Sequence, residues 1–261
     1  MGFFTELFRE LPLYLLSLPV LLIALSVHES AHGYVAYKLG DPTARNLGRI
    51  TLNPIKHFDL LGFLCMMLVH IGWAKPVPIV SRNFKNPRRD MALTGAAGPI
   101  SNLCLAILNL IVLRIAMIFV TDRFAEEAYA FKLSYFLETG FTGSFAFTVV
   151  SIIMYILYLG VMMNVIFAIF NLIPIPPFDG SRIFYVFLPP KWYFGIMKYE
   201  RIIMMVFFVL LAFGFLAGPL SIIEGWIING LMWLVGMGDG TAANDTLNTM
   251  IAYLYSLLRL I

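Results

Sequence analysis

The sequence predicts an all-α polytopic membrane protein, and three observations lead there. Of its 261 residues 60% are hydrophobic and only 13% are charged, whereas a soluble domain carries roughly a quarter charged residues. That leaves too little polar surface to cover a soluble core. The apolar residues also fall in runs of about 20 or more, the length that crosses a bilayer as a helix. Finally, Lys and Arg gather in particular loops, as they do on the cytoplasmic side of membrane proteins. The net charge of +3 is too small to argue for a nucleic-acid partner, and none is expected. Cys65 and Cys104 lack CxxC spacing and read as inert buried thiols. The N-terminus has neither a basic n-region nor a small-residue cleavage site, so it does not read as a removed signal peptide.

The first span runs from about Leu11 to Leu39, where Gly40 and Pro42 stop the helix. A second runs from about Met91 to Val120 and a third from about Phe145 to Ile173. Ile202 to Ala217 and the apolar run after it, to about Val235, read as a helical hairpin, giving about five full transmembrane helices. The tail from Thr246 to Ile261 is amphipathic and suits a membrane interface. The whole chain, 1–261, reads as a single integral membrane domain with its core at 11–182 and additional helices at 199–261.

Asp59 to Val80 has a shorter apolar core, broken by Gly62, Gly72 and Pro76. Basic residues flank it on both sides: Lys38, Arg45, Arg49 and Lys56 before, Lys75, Arg82, Lys85, Arg88 and Arg89 after. A full crossing would put these flanks on opposite sides of the membrane, against the positive-inside tendency. A re-entrant segment keeps both in the cytoplasm. Thr121 to Thr148, with Asp122, Glu126, Glu127 and Glu138, then falls outside, and the loop with Arg182, Lys191, Lys198 and Arg201 falls inside. Re-entrant backbone survives at membrane depth only beside protein or water, so a hydrated cytoplasmic cleft is expected. Short β-strands near that cleft are expected too, with Gly48 to Asn53 (GRITLN) the best candidate.

Within the first span lies His28-Glu29-Ser30-Ala31-His32. On a helix, positions i and i+4 share a face, so both imidazoles can reach one metal with Glu29 beside them. HExxH is the pattern of a zinc metalloprotease helix, and ionisable residues inside a span are rare and usually functional. A buried His–Glu hydrogen-bond cluster is the bland alternative. Catalytic zinc usually takes three protein ligands. His57 and His70 have no partner at ligand spacing. Asp179 has a better setting, because Pro174, Pro176 and Pro177 crowd the end of the third span. These prolines cannot continue a helix, so the chain unwinds and can turn Asp179 into a cleft, with Gly180 supplying backbone freedom. A helix-terminating turn with a solvated Asp is the competing reading, and Glu224 is the membrane-embedded carboxylate that could serve instead.

Taken with Asn171 through Gly180 (NLIPIPPFDG), the HESAH stretch resembles the two signatures of the site-2 protease family of intramembrane zinc metalloproteases. GWAKPVPI from Gly72 and AGPISN from Ala97 fit as well, and the likeness covers roughly Pro19 to Arg182. It resembles the compact prokaryotic members, with neither a PDZ domain in the outside loop nor a CBS domain at the end.

The resemblance implies one Zn2+ per chain, held by His28, His32 and Asp179, with Glu29 as the general base. It implies cleavage of single-span membrane proteins within or near the transmembrane helix, in a prokaryotic plasma membrane. It also places the N-terminus outside, with the basic loops 40–90 and 180–201 in the cytoplasm. Asn102 and Asn171 are candidates to stabilise an oxyanion or hold substrate backbone, and interhelical bonding would explain them equally. A homo-oligomer is compatible with the chain. The rival class is a polytopic metal-binding protein or zinc transporter without proteolytic activity, which would spread its ligands along a pathway.

Overall fold

The computed structural model describes residues 3–62, 74–136 and 143–258, and the regular structure among them is helical. Helix α1 (Phe3–Lys38) carries the HESAH stretch and stops where expected. The Asp41 N–H reaches back to the Ala36 carbonyl at 2.9 Å, and Gly40 takes φ +113°, a conformation that favours glycine at a helix end. A single turn, α2 (Thr43–Asn46), follows. Helices α3 (Pro87–Arg123), α4 (Ala125–Phe136) and α5 (Phe145–Leu172) come next. α3 opens on proline, whose missing N–H would have been unpaired there in any case. The remaining helices are α6 (Asp179–Tyr185), α7 (Pro190–Lys198), α8 (Glu200–Ala212), α9 (Ala217–Leu234) and α10 (Ala242–Leu258).

Three of the five expected spans are long and apolar enough to cross a membrane: Tyr14–Lys38, Pro87–Arg123 and Phe145–Leu172. The expected hairpin stretch forms two successive helices, α8 and α9, joined by a turn with Gly214 at φ +76°, but neither meets that standard. α8 has 13 residues, about 20 Å of helix against a hydrocarbon core of about 30 Å. α9 is diluted by Glu224, Asn229 and three glycines.

The expected strand at Gly48 to Asn53 is absent; that stretch is irregular and no strand occurs among the described residues. Its alternation of polar and apolar residues suits a strand, but side chains claim the ladder groups. Thr51 N–H donates to Ser30 Oγ at 3.2 Å and Ser30 Oγ donates to the Thr51 carbonyl at 2.5 Å. The His57 Nε2 also meets that carbonyl, at 2.8 Å. The re-entrant reading falls largely on residues 63–73, with His70 and Cys65, and lies outside the described residues. Cys104 is exposed rather than buried, on a stretch of α3 whose neighbours Ile100, Ile107 and Leu108 are exposed as well.

The chain forms two compact units. One comprises residues 1–21, 105–163 and 225–261. Its core includes Leu110, Leu113, Met117, Phe147, Leu247, Met250 and Leu254, all nearly inaccessible. Here α10 packs on α4: Tyr253 meets the Phe131 ring edge-on at 5.5 Å and shares a 2.9 Å hydrogen bond with Thr148. The C-terminal amphipathic helix therefore buries its apolar face against protein. The other unit, residues 22–104 and 164–224, carries all the chemistry described below.

Leu254 is fully buried, so Leu254→Ala should destabilise this protein by about 2–5 kcal/mol in a denaturant titration, as large-to-small core changes do. A helix lying on a membrane surface would lose well under half of that.

Candidate metal centre

His28 and His32 lie one helical turn apart on α1, and Asp179 opens α6. Their Nε2, Nε2 and Oδ2 atoms form a nearly equilateral triangle, with edges of 3.0 Å between the histidines, 3.1 Å from His28 to Asp179 and 3.0 Å from His32 to Asp179. All three residues are buried. They are the metal-competent cluster of His, Cys, Asp and Glu among the described residues; Glu224 is not part of it.

The outer partners of the imidazoles fix which nitrogen carries the proton. His32 Nδ1 lies 2.7 Å from the Thr94 carbonyl, which can only accept, so Nδ1 donates and Nε2 keeps its lone pair. His28 Nδ1 faces Asn102 Oδ1 at 2.5 Å. The Asn102 amide nitrogen is already turned to the Ala24 carbonyl (3.3 Å) and to Asn164 Oδ1 (2.8 Å), so its oxygen must face the ring. His28 Nδ1 therefore donates too. In the neutral form of both rings, two bare Nε2 atoms and a carboxylate oxygen then converge on one point. Such a set is repulsive by itself and complete with a cation at its centre. His28, His32 and Asp179 would hold such an ion through two imidazole nitrogens and one carboxylate oxygen, the ligand types of a catalytic zinc site. The donor set fits zinc.

Local sequence explains how these groups meet. α5 ends at Leu172, residues 173–178 run without helix, and the chain re-enters a helix at Asp179. The proline-rich unwinding read from the sequence is therefore present. Gly180 has a different reason from the one expected. A Cβ there would stand 2.3 Å from the Leu172 carbonyl oxygen, so the position needs room, not backbone freedom. On α3, Gly95 and Gly98 share one face. A Cβ at Gly98 would stand 2.5 Å from both imidazoles, and one at Gly95 would stand 3.2 Å from the Asp179 carbonyl oxygen. Small residues on α3 thus let both ligand-bearing elements approach it.

Glu29 is half-buried beside the triangle's helix face, not a corner of it. Its Oε2 accepts the Val77 N–H at 2.8 Å, a partner that sequence reasoning missed. Asn102 is fully buried and bonds to His28, the Ala24 carbonyl and Asn164. Asn171 is not brought to the triangle; its amide donates to the Phe167 carbonyl one turn back. Thr94 and Asn164 were also missed. No spacing rule links them to the histidines, and only the side-by-side packing of α1, α3 and α5 does so.

A buried two-histidine, one-carboxylate triangle inside a polytopic helical membrane protein, next to a glutamate on the same helix turn, defines a membrane metallohydrolase. Residues 17–217 match Peptidase family M50, so the chain belongs to that family, the site-2 protease family of zinc metalloproteases. A Bacillus subtilis (strain 168) protein, "Putative zinc metalloprotease YwhC", is 37% identical over 170 residues, covering 65% of this chain and 68% of that protein. "Putative zinc metalloprotease Rip2" of Mycolicibacterium smegmatis is 26% identical over 164 residues, covering 61% of this chain and 52% of that protein. No solved structure matches the chain.

Asn102→Ala should weaken zinc binding about 10–100-fold in a chelator competition, the usual consequence of losing a ligand's outer partner. Gly98→Ala, which drives a methyl group into both rings, should leave the purified protein with little zinc while α-helical content by circular dichroism is kept.

Proposed function

We propose that this protein hydrolyses peptide bonds within or near the transmembrane helices of membrane-anchored substrates, using one zinc ion held by His28, His32 and Asp179. The observation that carries this reading is the buried triangle of two imidazole nitrogens and a carboxylate oxygen, set beside a glutamate in a membrane protein. When bound there, zinc supplies Lewis acidity and an acidified water.

The chain's own residues supply the rest. Glu29 accepts the attacking water's proton and returns it to the leaving amine. Its neighbour on the helix, His28, is held by Asn102, and His32 by the Thr94 carbonyl, so the ligands keep their tautomers through the cycle. Burial of all three ligands strengthens every electrostatic contact at the reacting carbonyl. Asn171, half-buried at the end of α5, and Asn102 are our candidates to hold substrate backbone or stabilise an oxyanion.

In this reading the substrate is a single-span protein reached through the bilayer, and the active form is one domain, alone or as a homo-oligomer. The positive-inside distribution supports basic loops 40–90 and 180–201 in the cytoplasm of a prokaryotic cell, with the N-terminus outside. Convergence of the donors on one point favours catalysis over the transporter reading, which needs ligands in series.

Glu29→Gln should retain stoichiometric zinc and lose cleavage of a single-span substrate panel by about 10²-fold or more. Asp179→Ala should lose both zinc and activity. Full zinc in the Asp179→Ala protein removes Asp179 from the metal site. Undiminished cleavage by Glu29→Gln removes the base.

A further inference from the structure

Residues 74–80 (AKPVPIV) run without regular structure. Pro76 and Pro78 fix their own φ and bias Lys75 and Val77 to extended backbone. Extended backbone cannot pair with itself and must find partners elsewhere. Here the partners are spread along the strap. Lys75 N–H donates to the His57 carbonyl at 2.9 Å. Arg49 Nη2 donates to the carbonyls of Lys75 (2.7 Å) and Pro76 (3.3 Å). Val77 N–H donates to Glu29 at 2.8 Å, and Val80 N–H donates to Asp41 Oδ2 at 2.7 Å.

Asp41 is fully buried just beyond the end of α1. Its second oxygen accepts from Thr43 N–H (3.1 Å), the Thr43 hydroxyl and Asn83 Nδ2 (2.7 Å). Burial alone would push the carboxyl up, but these donors and Val80 outweigh it and hold Asp41 below the ordinary carboxylate range. A buried carboxylate with a full set of neutral donors is a strong, directional anchor.

We propose that Asp41 is a positioning residue for the general base: it pins the strap at Val80, so that the Val77 N–H three residues earlier holds the Glu29 carboxylate in one orientation. The inference rests on reading Glu29 as the base. Val77 sits between two anchors, Arg49 and His57 on one side and Asp41 on the other. Slackening either lets the strap drift, and misplacing a catalytic group by about 1 Å can cost 10²-fold in rate. None of the strap's bonds touches His28, His32 or Asp179, so the metal ligands stay in place when it loosens.

Asp41→Asn is the direct lesion. Whichever way the amide is turned, its NH2 faces either the Val80 N–H or the donors from Thr43 and Asn83. Asn83→Ala is a gentler lesion of the same anchor. Val77→Pro removes the N–H that binds Glu29, and comparison with Val77→Ala isolates the donor from the side chain. The full-length protein would be assayed on a single-span peptide carrying a fluorophore and a quencher on either side of its apolar segment. Zinc would be measured on the same samples, with amide exchange across residues 74–80.

We expect Asp41→Asn to lower kcat about 10-fold or more with KM and zinc content within twofold of wild type. Asn83→Ala should show a smaller loss of the same kind, and Val77→Pro a larger loss than Val77→Ala. Exchange should quicken at Val77 and Val80 in Asp41→Asn, but at Val77 alone in Glu29→Gln. Wild-type kcat in both anchor variants, or a loss of kcat matched by loss of zinc, overturns the proposal. Wild-type kcat in Glu29→Gln overturns the base assignment instead, whatever the anchor variants do.

Discussion

Two imidazole nitrogens meet a carboxylate oxygen at 3.0–3.1 Å, and in the neutral tautomer that their outer partners select, lone pairs crowded at that distance repel. Much of the surrounding structure reads as the means of holding them there. Thr94 and Asn102 on α3 set the tautomers. Asn164 on α5 sets the orientation of Asn102. The unwound stretch after Leu172 delivers Asp179. Each of these would be an unrewarded constraint without a cation, and together they prepare the place for one.

Close packing is the second condition. Imidazoles can lie against α3 only because Gly98 has no side chain, and α6 can fold back on α5 only because Gly180 has none. In a bilayer, where lipid tails compete on equal terms with apolar side chains, small residues let helix backbones approach and polar side chains bond across. The same logic covers the 74–80 strap. It lacks the internal pairing of a helix or sheet and is held at each end by side chains, one of them the buried Asp41.

What could be read from the sequence was local. The i, i+4 spacing of His28 and His32 is fixed by helix geometry, and the prolines before Asp179 announce an unwound segment in any context. Three long apolar runs became helices near their expected bounds. Pairings between distant segments were not legible: Asn102 with His28, Asn164 with Asn102, Val77 with Glu29. Nothing in spacing encodes which helices lie side by side. The GRITLN stretch failed as a strand because periodicity reports a pattern of side chains, while Ser30 and His57 had already claimed the Thr51 backbone. The α8–α9 pair does not join the three long spans for simpler reasons: α8 has 13 residues, short of a bilayer's width, and α9 is diluted by Glu224, Asn229 and glycines.

Zinc K-edge X-ray absorption on the purified protein reads the ligands at His28, His32 and Asp179 directly. The expected spectrum is that of one zinc per chain, with imidazole scattering from two histidines and a light oxygen ligand, all at about 2.0–2.1 Å. A sulfur shell at about 2.3 Å, or zinc without imidazole scattering, would contradict it.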